Sequence, residues 1–248
     1  MRTSNPALAT DTFQGFTYRL PGSESMTMQG TVYKTALLLI CLLLSAGWTW
    51  LSFFRGGQDA TLVAPWMMGG MIGGLVLGMV TIFKKEWAFI TAPLYAICQG
   101  FFIGGLSSIL EASYPGVALQ AVALTFGTCA VMLFIYQTGL IRVTDSFKMG
   151  VAAATGGVML FYLAALALSF FGIQIPGVFS NGVVGILFSL FVVGLAALNL
   201  VLDFDFIAKG AQASIPKYME WYGAFALMVT LVWLYIELLN LLAKLRSR

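Results

Sequence analysis

MEWYGAFALMVTLVWLYIELLNLLA, residues 219–243, is the stretch that decides how this chain is read. A run of about 20 predominantly apolar residues spans the hydrocarbon core of a bilayer as a helix. Inside the run stands Glu237, the only ionisable residue well within any long apolar stretch of the sequence. A charged side chain at membrane depth costs roughly 2.5 to 3.5 kcal/mol on insertion scales. A carboxylate held there needs a cationic or hydrogen-bonding partner, a water-filled cavity, or a proton. Each of these points to ion or proton handling.

Working outward, six more stretches qualify as spans, at about 34–54, 62–83, 87–110, 116–141, 149–171 and 178–202. Of the 248 residues, 60% are hydrophobic and 9% charged, against about 25% charged in soluble domains. So apolar a chain could not cover a soluble surface. The expected fold class is all-α, a polytopic membrane protein whose seven helices form one bundle, with the last helix near its centre. Short polar links such as Arg55–Asp59 and Lys84–Glu86 imply antiparallel neighbours and leave no room for a soluble domain between spans. The one longer link, residues 203–218, is amphipathic. Residues 1–30 read as a polar cytoplasmic arm rather than a secretory signal, with no apolar run before residue 35.

Basic residues set orientation. With the N-terminus inside, nine of the 13 Lys and Arg residues fall on the inner side, among them Lys34, Lys84, Lys85, Arg142, Lys148, Lys209 and Lys217. Arg55, Lys244, Arg246 and Arg248 fall outside. Seven spans then place the C-terminus outside, where its three basic residues run against the rule.

Several function classes drop out. The absence of histidine removes Ser-His-Asp and Cys-His catalysis and HExxH zinc sites. An intramembrane hydrolase would need paired aspartates in a GxGD-type setting, which is missing, so no enzymatic activity and no cofactor are expected. A net charge of +3 without a basic cluster gives nucleic acid no footing. Cys41, Cys98 and Cys129 lie singly within spans and read as small core residues. Gly69, Gly70, Gly73, Gly74, Gly78, Gly100 and Gly104 form GxxxG patterns that let helices approach closely. Pro65 and Pro93 read as tolerated kinks or as bends that open a cavity. Of the few polar residues in spans, Gln99 and Asn199 lie nearest the suspicious acids.

Those acids are the main signal. Asp203 and Asp205 close the sixth span in NLVLDFDFI, Glu220 opens the seventh in KYMEWYGAF, and Glu237 lies within it. Acids at a membrane boundary are ordinarily solvated, and one in the first turn of a helix is favoured by the dipole. Two carboxyls brought together would instead share a proton and titrate as a unit.

Leu202-Asp203-Phe204-Asp205-Phe206-Ile207 resembles the Leu-Tyr-Asp-Thr-Gln-x-Ile motif of the Bax inhibitor-1/YccA-like family. Leu234-Tyr235-Ile236-Glu237-Leu238-Leu239-Asn240-Leu241 resembles that family's Leu-x-Leu-Asp-x-x-Asn-Leu. MRTSNPAL at the start and KYMEWYGAF resemble its bacterial branch, which implies a bacterial inner membrane. The resemblance implies a pH-sensitive calcium leak channel, gated by a hydrogen-bonded pair of acids from the sixth and seventh spans. Asp203 and Glu237 fall on that pair, with calcium passing transiently by Asp203, Asp205 and Glu237. Three departures stand out. The second acid is Glu, Phe204-Asp205 replaces Thr-Gln, and Asp203 and Glu237 are further apart in sequence than the family pair.

That separation has a geometric consequence. If the chain turns near Ser214–Pro216, antiparallel helices put Asp203 and Glu237 roughly 15 Å apart in depth, at 1.5 Å per residue. A helix break near Gly223, or an excursion of residues 206–219, would cancel the offset. Otherwise Glu220 becomes the better partner for Asp203 or Asp205, and all four acids stay candidates. The expected partners are the bilayer and calcium or protons. A non-conducting role, modulating a membrane protein partner such as a protease, is the alternative, and the oligomeric state is open. A proton-coupled transporter would be expected to show two halves related by an inverted repeat, and none is visible.

Overall fold

The computed structural model describes residues 25–172 and 177–247. Seven α-helices follow one another: α1 (Met28–Arg55), α2 (Ala60–Phe83), α3 (Ala88–Ser113), α4 (Val117–Thr138), α5 (Asp145–Phe170), α6 (Val183–Gln212) and α7 (Met219–Arg246). A 3-10 turn, Lys85–Trp87, precedes α3. Each helix is long and apolar enough to cross a membrane, and the chain is a multi-pass integral membrane protein. The polar arm expected over residues 1–30 lies mostly outside the described residues.

Local chemistry marks the helix starts. Thr27 caps α1 by accepting from the Gly30 N–H at 3.0 Å, and Asp59 caps α2 by accepting from Thr61 N–H at 2.8 Å. Thr144 does the same for α5 through Phe147. Each side chain satisfies one of the N–H groups that a helix start leaves without an intrahelical partner. The helices continue through Pro65 and Pro93.

α7 occupies the centre and α5 the periphery. In the most apolar part of α7, 72% of residues are buried, against 11% in α5. α7 packs against α1, α3, α4 and α6, whereas α5 leans mainly on α6. A helix that is hydrophobic all round suits the core of a bundle. α1, α2 and α3 form a tight sub-bundle where small residues do what their spacing suggests. A Cβ on Gly104 would sit 2.4 Å from the Ala46 carbonyl oxygen, and one on Gly70 would sit 2.4 Å from the Cys98 carbonyl oxygen. Backbones meet there because a side chain is absent.

α1 and α5 start earlier than expected, at Met28 and Asp145, and the largest departure is in α6. α6 begins at Val183 rather than near 178 and runs on to Gln212, absorbing most of the expected amphipathic link. The turn to α7 shrinks to residues 213–218. The extension holds because Phe204, Phe206 and Ile207 are buried in the core while Asp205 is ion-paired. The starts of α1 and α7 are stitched together at this end of the bundle, where Met26 N–H donates to the Ile215 carbonyl at 2.7 Å.

Candidate functional site

The depth of each acid follows from how α6 and α7 run past each other. Phe206 and Tyr222 have ring centroids 6.3 Å apart, and Ile207 lies against Gly223. Near the other end, Lys244 Nζ donates to the Gly185 carbonyl at 3.1 Å and to Ser189 Oγ at 2.9 Å. Position 203 is therefore level with Leu227, and position 237 with Val193. Asp203 and Glu237 are separated by about ten residues of helix, ~15 Å in depth. α7 runs unbroken through Gly223, so nothing cancels the offset that the sequence foreshadowed.

Glu220, at the first turn of α7, is buried. Its Oε1 accepts from the Thr27 N–H at 2.9 Å and from Thr27 Oγ1 at 2.8 Å, and its Oε2 is ion-paired with Lys34 Nζ. The carboxylate thus docks on the positive end of the α1 dipole. A Cβ at residue 30 would overlap it, so Gly30 leaves the space that it fills. Lys34 also sits 5.5 Å from the Trp221 ring centre.

Asp205 is the centre of a second charged knot. Its Oδ2 accepts from Lys148 Nζ of α5 and Lys209 Nζ of α6, both at 2.7 Å. Two cations on one carboxylate tie peripheral α5 to the central pair.

Asp203 is almost completely buried, at 1% exposure. It faces α4 closely enough to act electrostatically on the Cys129 thiol. One turn earlier, Asn199 donates its amide to Thr155 Oγ1 of α5 at 2.9 Å and to the Leu195 carbonyl at 2.9 Å.

Glu237 has a different environment. Its Oε1 accepts from the Tyr162 hydroxyl of α5 at 3.0 Å and from Trp233 Nε1, one turn back on α7, at 3.3 Å. Both donors are neutral. Lys244, two turns on, acts on it electrostatically, but the lysine donates its hydrogen bonds to the Val178 and Gly185 carbonyls and to Ser189.

The four acids do not form a cluster in this structure. Glu220 is occupied by α1 and so does not partner Asp203 or Asp205. Among the described residues, no group of three or more His, Cys, Asp or Glu side chains could hold a metal ion. The calcium set of Asp203, Asp205 and Glu237 is dispersed over two depths, because the long α6 and unbroken α7 place Glu237 half a bundle away. Trp233 and Lys209 stand one helical turn from their carboxylates and were findable from spacing. Tyr162, Lys148, Lys34 and Thr27 come from distant helices, and nothing in their local sequence marks them.

A family model described as Bax inhibitor 1 like matches residues 5–247, nearly the whole chain. No curated protein and no solved structure matches it.

Proposed function

The chain belongs to the Bax inhibitor 1 like family, and from that premise we propose that it is a pH-sensitive cation leak pathway, with calcium the permeant ion. The observation that carries this reading is Glu237, buried on the central helix and hydrogen-bonded by the neutral Tyr162 and Trp233. Fixed cations already neutralise Asp205 and Glu220. Glu237 is free to exchange a proton for a hard cation, which oxygen ligands suit. Asp203, on the adjoining helix and about 15 Å away in depth, is the second station. At that separation they act as two stations rather than as a proton-sharing pair, and protonation of either closes the path by removing its charge.

The end that carries Lys34, Lys84, Lys85, Arg142, Lys148, Lys209 and Lys217 is the cytoplasmic one, by the positive-inside rule. Glu237 then lies in the outer half of a bacterial inner-membrane protein, with the C-terminus outside. The chain performs no enzymatic chemistry in this reading and needs no cofactor.

Calcium flux into proteoliposomes across about pH 6 to 8, the physiological titration range, tests it. Wild type should conduct more as pH rises, Glu237→Gln should lose that dependence, and Asp203→Asn should change flux independently. A flux no greater than that of empty liposomes at every pH would overturn the leak reading. It would favour a non-conducting modulator of a membrane protein partner.

A further inference from the structure

A crevice of about 360 Å³ opens sideways from the bundle between α1 and α4, floored by α3 and α7. Its two walls have no packed interface with each other. Leu43, Leu119 and Phe126 stand at its rim and are exposed. Besides Trp50, three hydroxyl-bearing side chains line it, and each takes part in a hydrogen bond within the protein. Ser107 and Tyr235 share a hydrogen bond at 2.7 Å, and Thr125 donates to the Ala121 carbonyl at 2.7 Å. The other lining side chains are aliphatic or aromatic, and a predominantly apolar cavity accepts apolar guests. The volume corresponds to roughly a dozen water-sized groups.

The floor leads to a cation. Arg246 follows Tyr235 by three helical turns, on the same face of α7 and about 16 Å nearer the surface. That length is close to half of the ~30 Å hydrocarbon core, the depth of one leaflet. The Arg246 guanidinium is exposed and held at the start of α4, next to the lining residues Ala118 and Leu119, by two neutral acceptors, the Pro115 carbonyl and Gln120 Oε1. Glu111, the acid of that turn, accepts instead from the Gly116 and Ala118 N–H groups. Among the described residues, no carboxylate lies within ion-pair distance of Arg246.

We propose that this crevice is a binding site for one anionic phospholipid, with an acyl chain between α1 and α4 and its phosphate on Arg246. The predominantly apolar lining selects a hydrocarbon tail, and the leaflet-length spacing and uncompensated arginine select a lipid over an apolar helix. The site is separate from the acids of α6 and α7, so it stands whether or not the chain conducts.

The test uses the full chain in phosphatidylcholine vesicles doped with phosphatidylglycerol that carries a photoreactive group in its acyl chain. Gly47 lines the crevice with nothing within 4 Å of where its Cβ would be, so a side chain can start there and Gly47→Phe puts a ring into the groove. Wild type should be labelled on the α1 and α4 crevice residues in preference to lipid-exposed α5, and Gly47→Phe should lose that preference. Arg246→Gln should lose about fivefold in preference for phosphatidylglycerol over phosphatidylcholine, the factor one interfacial arginine is worth. Equal labelling of α5 and the crevice, or preferential labelling that survives Gly47→Phe, overturns the proposal. So does a protein–protein crosslink through the crevice in place of lipid adducts. An unchanged lipid preference in Arg246→Gln overturns the phosphate assignment.

Discussion

Glu220 and Glu237 are the same residue type on the same helix, both buried, yet they are held by opposite means. Glu220 meets a cation, a hydroxyl and the N-terminal amides of α1. Glu237 meets a phenol and an indole. The first arrangement fixes a charge, because losing either ion-pair partner strands the other in a low-dielectric site. The second gives one carboxyl oxygen two neutral donors without fixing a cation on it. Burial therefore does not identify a working carboxylate. What separates the two is the charge of their partners.

Three substitutions break or sharpen this contrast. The largest effect belongs to Lys34→Met, which leaves the Glu220 carboxylate buried without its cation and should cost about 3 kcal/mol, the low end for a broken buried pair. Unfolding in mixed micelles would show it as a large fall in the midpoint. Next comes Tyr162→Phe, which removes one neutral donor from Glu237. Interhelical hydrogen bonds in membranes average about 0.6 kcal/mol and reach about 1.7, so stability should fall little while the pH profile of flux shifts. If Tyr162→Phe destabilised as strongly as Lys34→Met, Glu237 would be as structural as Glu220 and the contrast would collapse.

The smallest effect is expected for Lys209→Met. Lys209 is half exposed, Lys148 remains on the same Asp205 oxygen, and the pair is one helical turn apart. About 0.3 to 0.5 kcal/mol is expected, readable in the same assay. A loss comparable to that of Lys34→Met would show that Asp205 needs both cations, making the knot between α5 and α6 a structural keystone.

Much of the fold was legible. Hydropathy over seven stretches gave the spans, and small-residue spacing gave close helix packing within the bundle, though not which helices meet. Counting residues to a turn near Ser214–Pro216 offered the depth offset between Asp203 and Glu237 as one of two outcomes, and the long α6 and unbroken α7 decide for it. The extension of α6 was less legible, because DFDFIAKGAQ carries three charged side chains. It reads as helix only once Lys148 reaches across from α5 and the phenylalanines are seen to be buried.

By itself, the sequence determined that this is a seven-span membrane protein with one acid deep in its last helix. Transfer into hydrocarbon is local and nearly additive along the chain, so it can be summed residue by residue. Only the tertiary structure decided what each acid meets. Tyr162 lies 75 residues from Glu237, Lys34 lies 186 from Glu220, and Thr27 lies 193 from Glu220. Such meetings depend on how each helix is rotated about its axis and how far it slides past its neighbours. Packing across the whole bundle sets both quantities, and neither can be read from a single apolar span.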